Sequence, residues 1–326
     1  MKKLFTAGAT ACALAFTVLC AVSCASPGNT DDPSTDNPST DNPTPDPPKP
    51  QPWPETGMES ATYITNGKVQ IGVDLNRGGA VFHFSEEATK RNLLNHADEG
   101  RFVQQSYYGD SDGSKWNGTS WNWNPVQGGS WQGKKATVTS TEITDSKITV
   151  TSTPMHWATG EDLTDCVMKE EITLSDYLAR IHYSFKYSGS KSHKARHQEM
   201  PAVFCDYDLG TLVYYSGLRP WTNGALTRVT PKNLSDGASN QYAYRTEEWS
   251  AYVDKNDWGI GVYTPGTAQI TYYTFGHGPG GAVKSSCSYF APIRTLAITK
   301  DLELTYDVYL TIGTVDEIRS RFTKLR

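Results

Sequence analysis

The stretch that decides the fold reads KVQIGVDL at 68–75, NRGG at 76–79 and AVFHF at 80–84. Its first and last parts alternate apolar and polar side chains with a period of two, the pattern of a strand with one buried face. The two glycines between them favour a tight turn, because glycine adopts positive φ without steric cost. The stretch therefore predicts a β-hairpin, and it makes antiparallel β-structure the expectation for the chain that follows.

Further runs of this kind continue towards the C-terminus. They are rich in Val, Ile, Thr and Tyr and are separated by turn residues. They occupy 136–140, 147–152, 167–174, 179–187, 199–204, 249–253, 259–263, 270–275 and 302–312. One helix is expected at 315–325, where acidic residues begin the segment and basic residues end it. The pattern predicts an all-β fold, a single large antiparallel β-sandwich with long aromatic loops and a short C-terminal helix.

The first 55 residues differ in composition from the rest. Residues 1–24 have a basic start and a short apolar stretch, typical of a secretion signal. They end in AVSC, which resembles a bacterial lipobox and predicts lipidation of Cys24; Cys20 is a weaker candidate, and an ordinary signal peptide is the alternative. Residues 25–55 hold ten of the 18 prolines and few apolar side chains, which predicts a disordered tether. We therefore expect a lipid-anchored protein of the bacterial cell envelope, facing the periplasm or the exterior, with one domain at 56–326.

Most of the chain's net negative charge lies in this tether. The whole chain has 35 acidic and 30 basic residues, but six of the acids lie at 25–55 against the single base Lys49. The domain is therefore close to neutral. Proteins that bind nucleic acid rely on an excess of Lys and Arg, so this composition argues against a nucleic-acid partner. We expect a monomer that meets the membrane through its N-terminal lipid only.

The sequence has few candidate residues for disulfide bonds or metal binding. The exported part keeps Cys166, Cys205 and Cys287, for which one disulfide with a free thiol or three buried thiols both fit. Zinc-site spacing is absent. Asp110, Asp206 and Asp208 have side chains that suit calcium, but they do not follow the spacing of an EF-hand loop. We therefore expect no cofactor and no metal.

Two long segments, 104–131 and 214–244, are unusually aromatic. Indole rings stack on the C–H faces of sugars, and amides bond their hydroxyls. Two rings placed two residues apart in an extended chain would point the same way, so we predict a sugar platform, with anchoring of the loops as the alternative. A glycine-rich loop adds one imidazole, for which a plain connection is the alternative. The predicted contacts are Trp121, Trp123, Asn124, Gln127, Trp221, Trp249 and His277.

A polar row precedes the first aromatic segment. If 101–107 is a strand, Arg101, Gln105 and Tyr107 share one face and Tyr108 lies on the other. A guanidinium, an amide and a phenol are suited to sugar hydroxyls or to a uronate. A solvated outer face is the alternative.

Two segments place carboxyl groups where acid–base chemistry is expected. His197 and Glu199 are two residues apart on a predicted strand and would face one cleft as acid and base, or else form a buried hydrogen-bonded pair. Glu247 shares a face with Trp249. An adjacent indole would desolvate this carboxyl group and raise its pKa, which favours a general acid; Glu248 is the second choice.

The hairpin at 69–84, with two glycines at its turn, resembles the start of galactose-mutarotase-like β-sandwiches, also called supersandwiches. Arg101 soon after it and the His-x-Glu at 197–199 are compatible with the same superfamily. It contains aldose epimerases, glycoside hydrolase domains and polysaccharide lyase domains, so the resemblance implies a carbohydrate-active sandwich. The Trp-rich segment departs from the family, and the epimerases' paired histidines are not located in this sequence, which argues against epimerase activity. Because the chain is expected to be lipid-anchored and to carry an aromatic platform of polymer size, we expect an extracellular polysaccharide rather than a free hexose.

Three functions follow from these residues. The first is an endo-acting glycoside hydrolase with Glu199 and Glu247 as its carboxylate pair and His197 beside them. The second is a polysaccharide lyase, in which Arg101 and Gln105 neutralise a uronate while Tyr107 or His197 takes the proton. The third is a glycan-binding lipoprotein without catalysis, which would keep the aromatic platform and need no converging acids.

Overall fold

Antiparallel strands make up most of the computed structural model, which describes residues 60–96, 100–278, 283 and 285–326. The predicted leader 1–24, the lipidation site Cys24 and the tether 25–55 lie outside the described residues. The strands are β1 (Ala61–Thr65), β2 (Val69–Asp74), β3 (Val81–Glu86), β4 (Gln104–Ser106), β5 (Ser111–Trp116), β6 (Thr119–Asn122), β7 (Pro125–Val126), β8 (Thr137–Thr144), β9 (Lys147–Thr153), β10 (Met155–His156), β11 (Cys166–Ser175), β12 (Leu178–Tyr187), β13 (His193–Cys205), β14 (Thr211–Tyr214), β15 (Thr227–Val229), β16 (Gln241–Tyr244), β17 (Trp249–Val253), β18 (Trp258–Tyr263), β19 (Gln269–Phe275), β20 (Cys287–Ile298) and β21 (Leu302–Thr314). One α-helix, α1 (Val315–Thr323), follows the last strand.

Two large sheets and one small sheet build the sandwich. The small sheet has the order β1-β2-β3, the seven-stranded sheet β10-β7-β4-β13-β20-β19-β16, and the nine-stranded sheet β15-β14-β17-β18-β21-β12-β11-β9-β8. Strands β5 and β6 form a separate hairpin. One continuous hydrophobic core contains side chains from all three sheets, such as Ile71, Val203 and Val308. The predicted all-β sandwich with a short C-terminal helix is confirmed.

The opening hairpin is formed as its sequence predicts. Its alternating apolar side chains Val69, Ile71 and Val73 are fully buried. Gly78 and Gly79 both have positive φ, 63° and 81°, and a Cβ atom on Gly79 would lie 2.6 Å from Val150 Cγ1. The turn therefore requires glycine for its backbone conformation and for its close contact with β9.

A buried polar network ties the hairpin to both large sheets. The amide nitrogen of Gln127 donates to the Gly78 carbonyl (3.1 Å) and to Glu170 Oε2 on β11 (3.0 Å), while its oxygen accepts from the main-chain N–H of Gln105 (3.1 Å). Glu170 is completely buried, and this burial raises the pKa of its carboxyl group to about 8, although the Gln127 hydrogen bond lowers it. At neutral pH this carboxyl is therefore mainly protonated.

The C-terminal helix packs on the outer side of the nine-stranded sheet. Ile318 and Phe322 belong to a small apolar cluster with Trp249, and a capping box between Thr314 and Glu317 begins the helix. The helix is also fixed by an ion pair that is almost fully buried. Arg319 donates to both oxygens of Glu247, at 3.0 Å from Nε and 2.6 Å from Nη2.

Two further expectations concern membranes and thiols. No helix within the described ranges is long and apolar enough to cross a membrane. Cys166, Cys205 and Cys287 are all buried and in the thiol form, so of the two arrangements that their number allows, the structure has three thiols.

Glu170→Gln tests the buried carboxyl group through the pH dependence of stability. In the wild type, the free energy of unfolding should fall as pH rises from about 4.5 to about 8, because the unfolded chain ionises this group while the folded chain keeps it protonated. The slope is on the order of 1 kcal/mol per pH unit. The glutamine variant should lose this slope, as measured by urea unfolding across that range. Glu171→Gln, on the other face of β11, is the control and should keep it; equal slopes in the wild type and Glu170→Gln would contradict the assignment.

Candidate functional site

One face of the seven-stranded sheet packs on the core, and the other, called here the outer face, carries a second set of side chains. Val203 and Phe290 point into the core. Ala202 and Phe204 of β13 and Tyr289 of β20 belong to a separate apolar cluster. Because side chains alternate along a strand, this second cluster lies on the outer face.

Glu199 lies on β13, the fourth of the seven strands, and is half-buried. It is directly opposite Ser106 of β4 on one side and Ile293 of β20 on the other. The Tyr289 hydroxyl donates a hydrogen bond to Glu199 Oε1, and the hydroxyls of Ser106 and Tyr108 also interact with this carboxyl group. Desolvation raises the pKa of Glu199 in spite of these donors and of the nearby charge of Arg101, all of which lower it.

The backbone beside Glu199 is irregular. Glu199 pairs with Ile293, but the next pair is Val203 with Phe290, so β13 has one extra residue in this interval. Pro201 and Pro292 lie here, and neither has an N–H to donate to the neighbouring strand. Bulges change the direction of neighbouring side chains and are common next to active sites.

The Tyr289 phenol is held by two other rings. Its ring stacks on Tyr273 of β19, with centroids 4.3 Å apart and planes inclined by 29°, and lies 4.7 Å from the ring of Phe204. Burial raises the pKa of Tyr289 well above its usual value. The phenol therefore stays protonated and acts on Glu199 as a fixed hydrogen-bond donor.

Arg101 connects the surroundings of Glu199 to a group of tryptophans. Its guanidinium carbon is 5.8 Å from the ring centroid of Phe204 and 5.7 Å from that of Trp157. Trp157 in turn lies 4.9 Å from Trp121 and 5.3 Å from Trp116. We call Trp116, Trp121 and Trp157 the tryptophan wall; all three are half-buried and keep part of their surface accessible.

Local hydrogen bonds fix this wall. Trp116 and Trp121 belong to the hairpin of β5 and β6, and the Trp121 indole donates to Asn124 Oδ1 at 3.2 Å. The amide nitrogen of Asn124 donates to the carbonyl of Tyr107 at 2.6 Å. Asn124 is buried, so it positions the wall instead of meeting a sugar as predicted.

Five of the predicted site residues lie together on or beside the outer face. Glu199 and His197 share it through strand alternation, and His197 is exposed. Arg101, Tyr108 and Trp121 are half-buried and belong to the contacts described above.

The predicted polar row at 101–107 is wrong for two of its members. Tyr107 is buried in the core and donates to Gln105 Oε1 at 2.9 Å, and the Gln105 amide donates to the carbonyl of Lys169 on β11. The strand begins only at Gln104, so Arg101 is not in register with this row. The opposite row, with Ser106 and Tyr108, faces the site.

Two further residues of the predicted platform face inwards. Trp123 stacks on His193, with ring centroids 4.3 Å apart, and is only 8% exposed. It does not share the direction of Trp121, because β6 ends at Asn122. Gln127 is the buried centre of the network described above.

The prediction of Glu247 as a catalytic acid is wrong. Both of its oxygens are bound by Arg319, and they also accept from the Trp249 indole (2.8 Å) and the main-chain N–H of Trp221 (2.7 Å). Glu247 and Trp249 are completely buried under α1. The structure therefore does not bring Glu247 together with Glu199: Glu247 lies in the connection between β16 and β17 and is enclosed by Arg319 of α1, whereas Glu199 lies on β13.

His277 lies just beyond the end of β19. Its Nε2 is 3.3 Å from Ser288 Oγ, and its ring is 6.1 Å from that of Tyr207. Burial lowers the pKa of this imidazole. These ring partners are not among the groups described around Glu199.

Sequence reasoning missed Tyr289, Tyr273, Ser106 and Trp157. The signal for Tyr289 was the nearly continuous apolar run at 287–293, which the proline at 292 interrupts. Among the described residues, no group of three or more His, Cys, Asp or Glu side chains is arranged to hold a metal ion.

No protein-family model matches the chain, and no curated protein matches it significantly. Among solved structures it is similar to a galactose mutarotase related enzyme from Lactobacillus acidophilus, with 9% identity and a TM-score of 0.49 over 77% of this chain and 97% of that chain. A putative aldose 1-epimerase from Escherichia coli K12 shares 11% identity at a TM-score of 0.49, over 78% of this chain and 100% of the other. A galactose mutarotase-like protein from Lactobacillus casei shares 13% identity at a TM-score of 0.48, over 77% and 99%. The resemblance predicted from the opening hairpin is thus confirmed, as a weak and partial one.

Proposed function

We propose that this protein is an enzyme that cleaves glycosidic bonds of an oligosaccharide or polysaccharide on the outer face, with Glu199 as the proton donor. The observation that carries the proposal is the position of Glu199. It is a half-buried carboxyl group with a raised pKa, held by the Tyr289 phenol in the middle strand of an accessible sheet face. Perturbed carboxyl groups of this kind mark candidate catalytic sites.

The surroundings of Glu199 supply what a sugar needs. The tryptophan wall offers indole surfaces for the C–H faces of sugar rings. Arg101 and Tyr108 add hydrogen-bond donors between the wall and Glu199. Aromatic surfaces with a few polar groups are the usual lining of a small-molecule or glycan site.

A hydrolytic mechanism follows from Glu199 and His197, which share one face of β13. Protonated Glu199 gives its proton to the glycosidic oxygen as the bond to the anomeric carbon breaks. A water molecule attacks that carbon and gives its proton to His197, which replaces Glu247 as the second catalytic group. The Cα atoms of residues two apart on a strand are about 6.7 Å apart, a spacing compatible with the roughly 6.5–9.5 Å between acid and base groups that admits a water molecule in inverting hydrolases.

A second candidate is β-elimination, and Arg101 is the observation that favours it. Its guanidinium lies close enough to Glu199 to affect the pKa of that carboxyl group, so it would neutralise the carboxylate of a uronate bound there. His197 would take the C5 proton, a C4–C5 double bond would form, and the leaving oxygen would take the proton of Glu199. The product absorbs in the ultraviolet, whereas a hydrolysis product does not.

Glu199→Gln should lower kcat/KM by roughly 10²–10⁴-fold, because it removes the proton donor. The intact protein is incubated with xylan, laminarin, galactomannan, arabinan, polygalacturonate and alginate, and products are followed by chromatography and ultraviolet absorbance. Glu171→Gln, on the nine-stranded sheet, is the matched control and should be as active as the wild type. Cleavage by Glu199→Gln at the wild-type rate would refute the assignment.

Tyr289→Phe should move the basic limb of the pH–rate profile to higher pH. The phenol donates to Glu199 and lowers its pKa, so its removal raises that pKa and keeps the acid protonated further into the alkaline range. Tyr273→Phe keeps the ring stacked on Tyr289 and is the control, with the limb unchanged. A limb that stays in place or moves to lower pH in Tyr289→Phe would exclude Glu199 as the proton donor.

We propose further that the enzyme is tethered to the bacterial cell envelope through a lipid on Cys24, since residues 21–24 resemble a lipobox. Cys24→Ser should abolish incorporation of a fatty-acid label and release the protein from the membrane fraction. Cys20→Ser is the matched control and should stay labelled. Label that persists in Cys24→Ser would exclude this anchor.

A further inference from the structure

The far edge of the seven-stranded sheet carries two exposed aromatic rings. Tyr242 and Tyr244 lie on the edge strand β16 and are 53% and 67% exposed. Ala243 between them packs against the core, so both tyrosines point away from it. Large exposed aromatics two residues apart on one strand face are unusual unless they meet a ligand.

The strand register places these rings on the face of Glu199. Tyr244 is opposite Gln269 on β19, Gln269 is opposite Ile293 on β20, and Ile293 is opposite Glu199. Directly opposed residues of antiparallel strands point to the same side of a sheet. Tyr244 and Glu199 are therefore the ends of one row across four strands.

Long side chains connect β16 and β13 above the outer face. The ring centroids of Tyr242 and His197 are 5.9 Å apart, although their strands are three spacings apart, about 14 Å. The Tyr242 ring therefore extends over the outer face from β16 towards the strand that carries Glu199. The tryptophan wall stands on the other side of Glu199, near β10.

Polar groups line the space between β16 and Glu199. Gln269 is half-buried on β19, and within the described part of the chain its amide makes no side-chain hydrogen bond; the same holds for the exposed His197 imidazole. An amide and an imidazole with free donors and acceptors, next to two phenol rings, match a sugar with its hydroxyls and C–H face.

We propose that Tyr242 and Tyr244 form a second aromatic wall, and that the ligand is a saccharide chain held on both sides of Glu199. This proposal rests on the proposed function, since it extends the same binding site to further sugar units. The two walls lie on opposite sides of Glu199, towards the opposite edge strands β10 and β16, so the contacts extend beyond one sugar ring. The substrate is therefore a chain of several sugars, with Gln269 bonding its hydroxyls.

A second copy of this chain is the competing occupant, because β16 is an edge strand whose free backbone groups are open to pairing. The saccharide is favoured because the tyrosines continue the row that ends at Glu199 and because His197 contacts Tyr242 from the same strand as Glu199.

Chain-length dependence tests the proposal, with all variants made in the full-length Glu199→Gln protein so that binding is measured without turnover. Affinity electrophoresis with the six polysaccharides named above first selects the ligand. Calorimetry then measures its oligosaccharides from disaccharide to octasaccharide. The Tyr242→Ala/Tyr244→Ala double variant should lose about tenfold in affinity for the long chains, with little change for the disaccharide. Tyr242→Phe/Tyr244→Phe should retain affinity, and Ile143→Ala, an exposed apolar residue on β8, is the surface control.

Several results would overturn the second wall. The first is an affinity of the alanine double variant that equals that of its parent at every chain length. The second is a loss of affinity that is the same for all chain lengths. The third is a sedimentation coefficient that differs from that of the parent while the affinity for glycans is unchanged. Retention of the parent protein by no polysaccharide of the panel would overturn the wall and the proposed function together. Length-dependent binding in a protein that cleaves none of the panel would support the wall and refute the cleavage.

Discussion

The side chain of Gln127 joins three parts of the chain that are distant in sequence. It holds the glycine turn of the opening hairpin, the backbone of β4 and the carboxyl group of Glu170 on β11. These contacts are completely buried between the large sheets, where an unpaired amide would cost about 1–3 kcal/mol. The position of β4 relative to both sheets is therefore specified by directional bonds as well as by apolar packing.

The direction of every side chain on β4 follows from this constraint. Because Gln105 faces the interior, where its amide reaches β11 and Tyr107 reaches Tyr306, Ser106 and Tyr108 face outwards. A shift of one residue would exchange these two pairs. It would remove two hydroxyls from Glu199 and leave polar groups of the core without partners. The site on the outer face thus depends on a network in the core.

The sequence predicted most of the sandwich and about half of the site, and the differences have physical causes. Alternation located β12, and the acidic start and basic end located α1, each to within two residues. It missed β20, whose first seven residues are all buried and which contains Pro292; the proline is tolerated because it lies at the register shift beside Glu199. Gln105 and Gln127 were assigned to sugar because residue type alone does not distinguish a buried polar network from a polar surface.

Glu247 and Glu199 both lie beside aromatic rings, and the sequence pattern alone does not show which partners the fold gives them. Glu247 is adjacent to an indole, as expected of a general acid, but Arg319 comes from a helix 72 residues away and binds both oxygens. Its charge is therefore neutralised and shielded from solvent, and it fixes α1. Glu199 receives a neutral phenol and keeps part of its surface accessible. A carboxyl group held by neutral donors can exchange its proton with a ligand, whereas one enclosed by a guanidinium cannot, so the partner that the fold supplies decides which glutamate is available for chemistry.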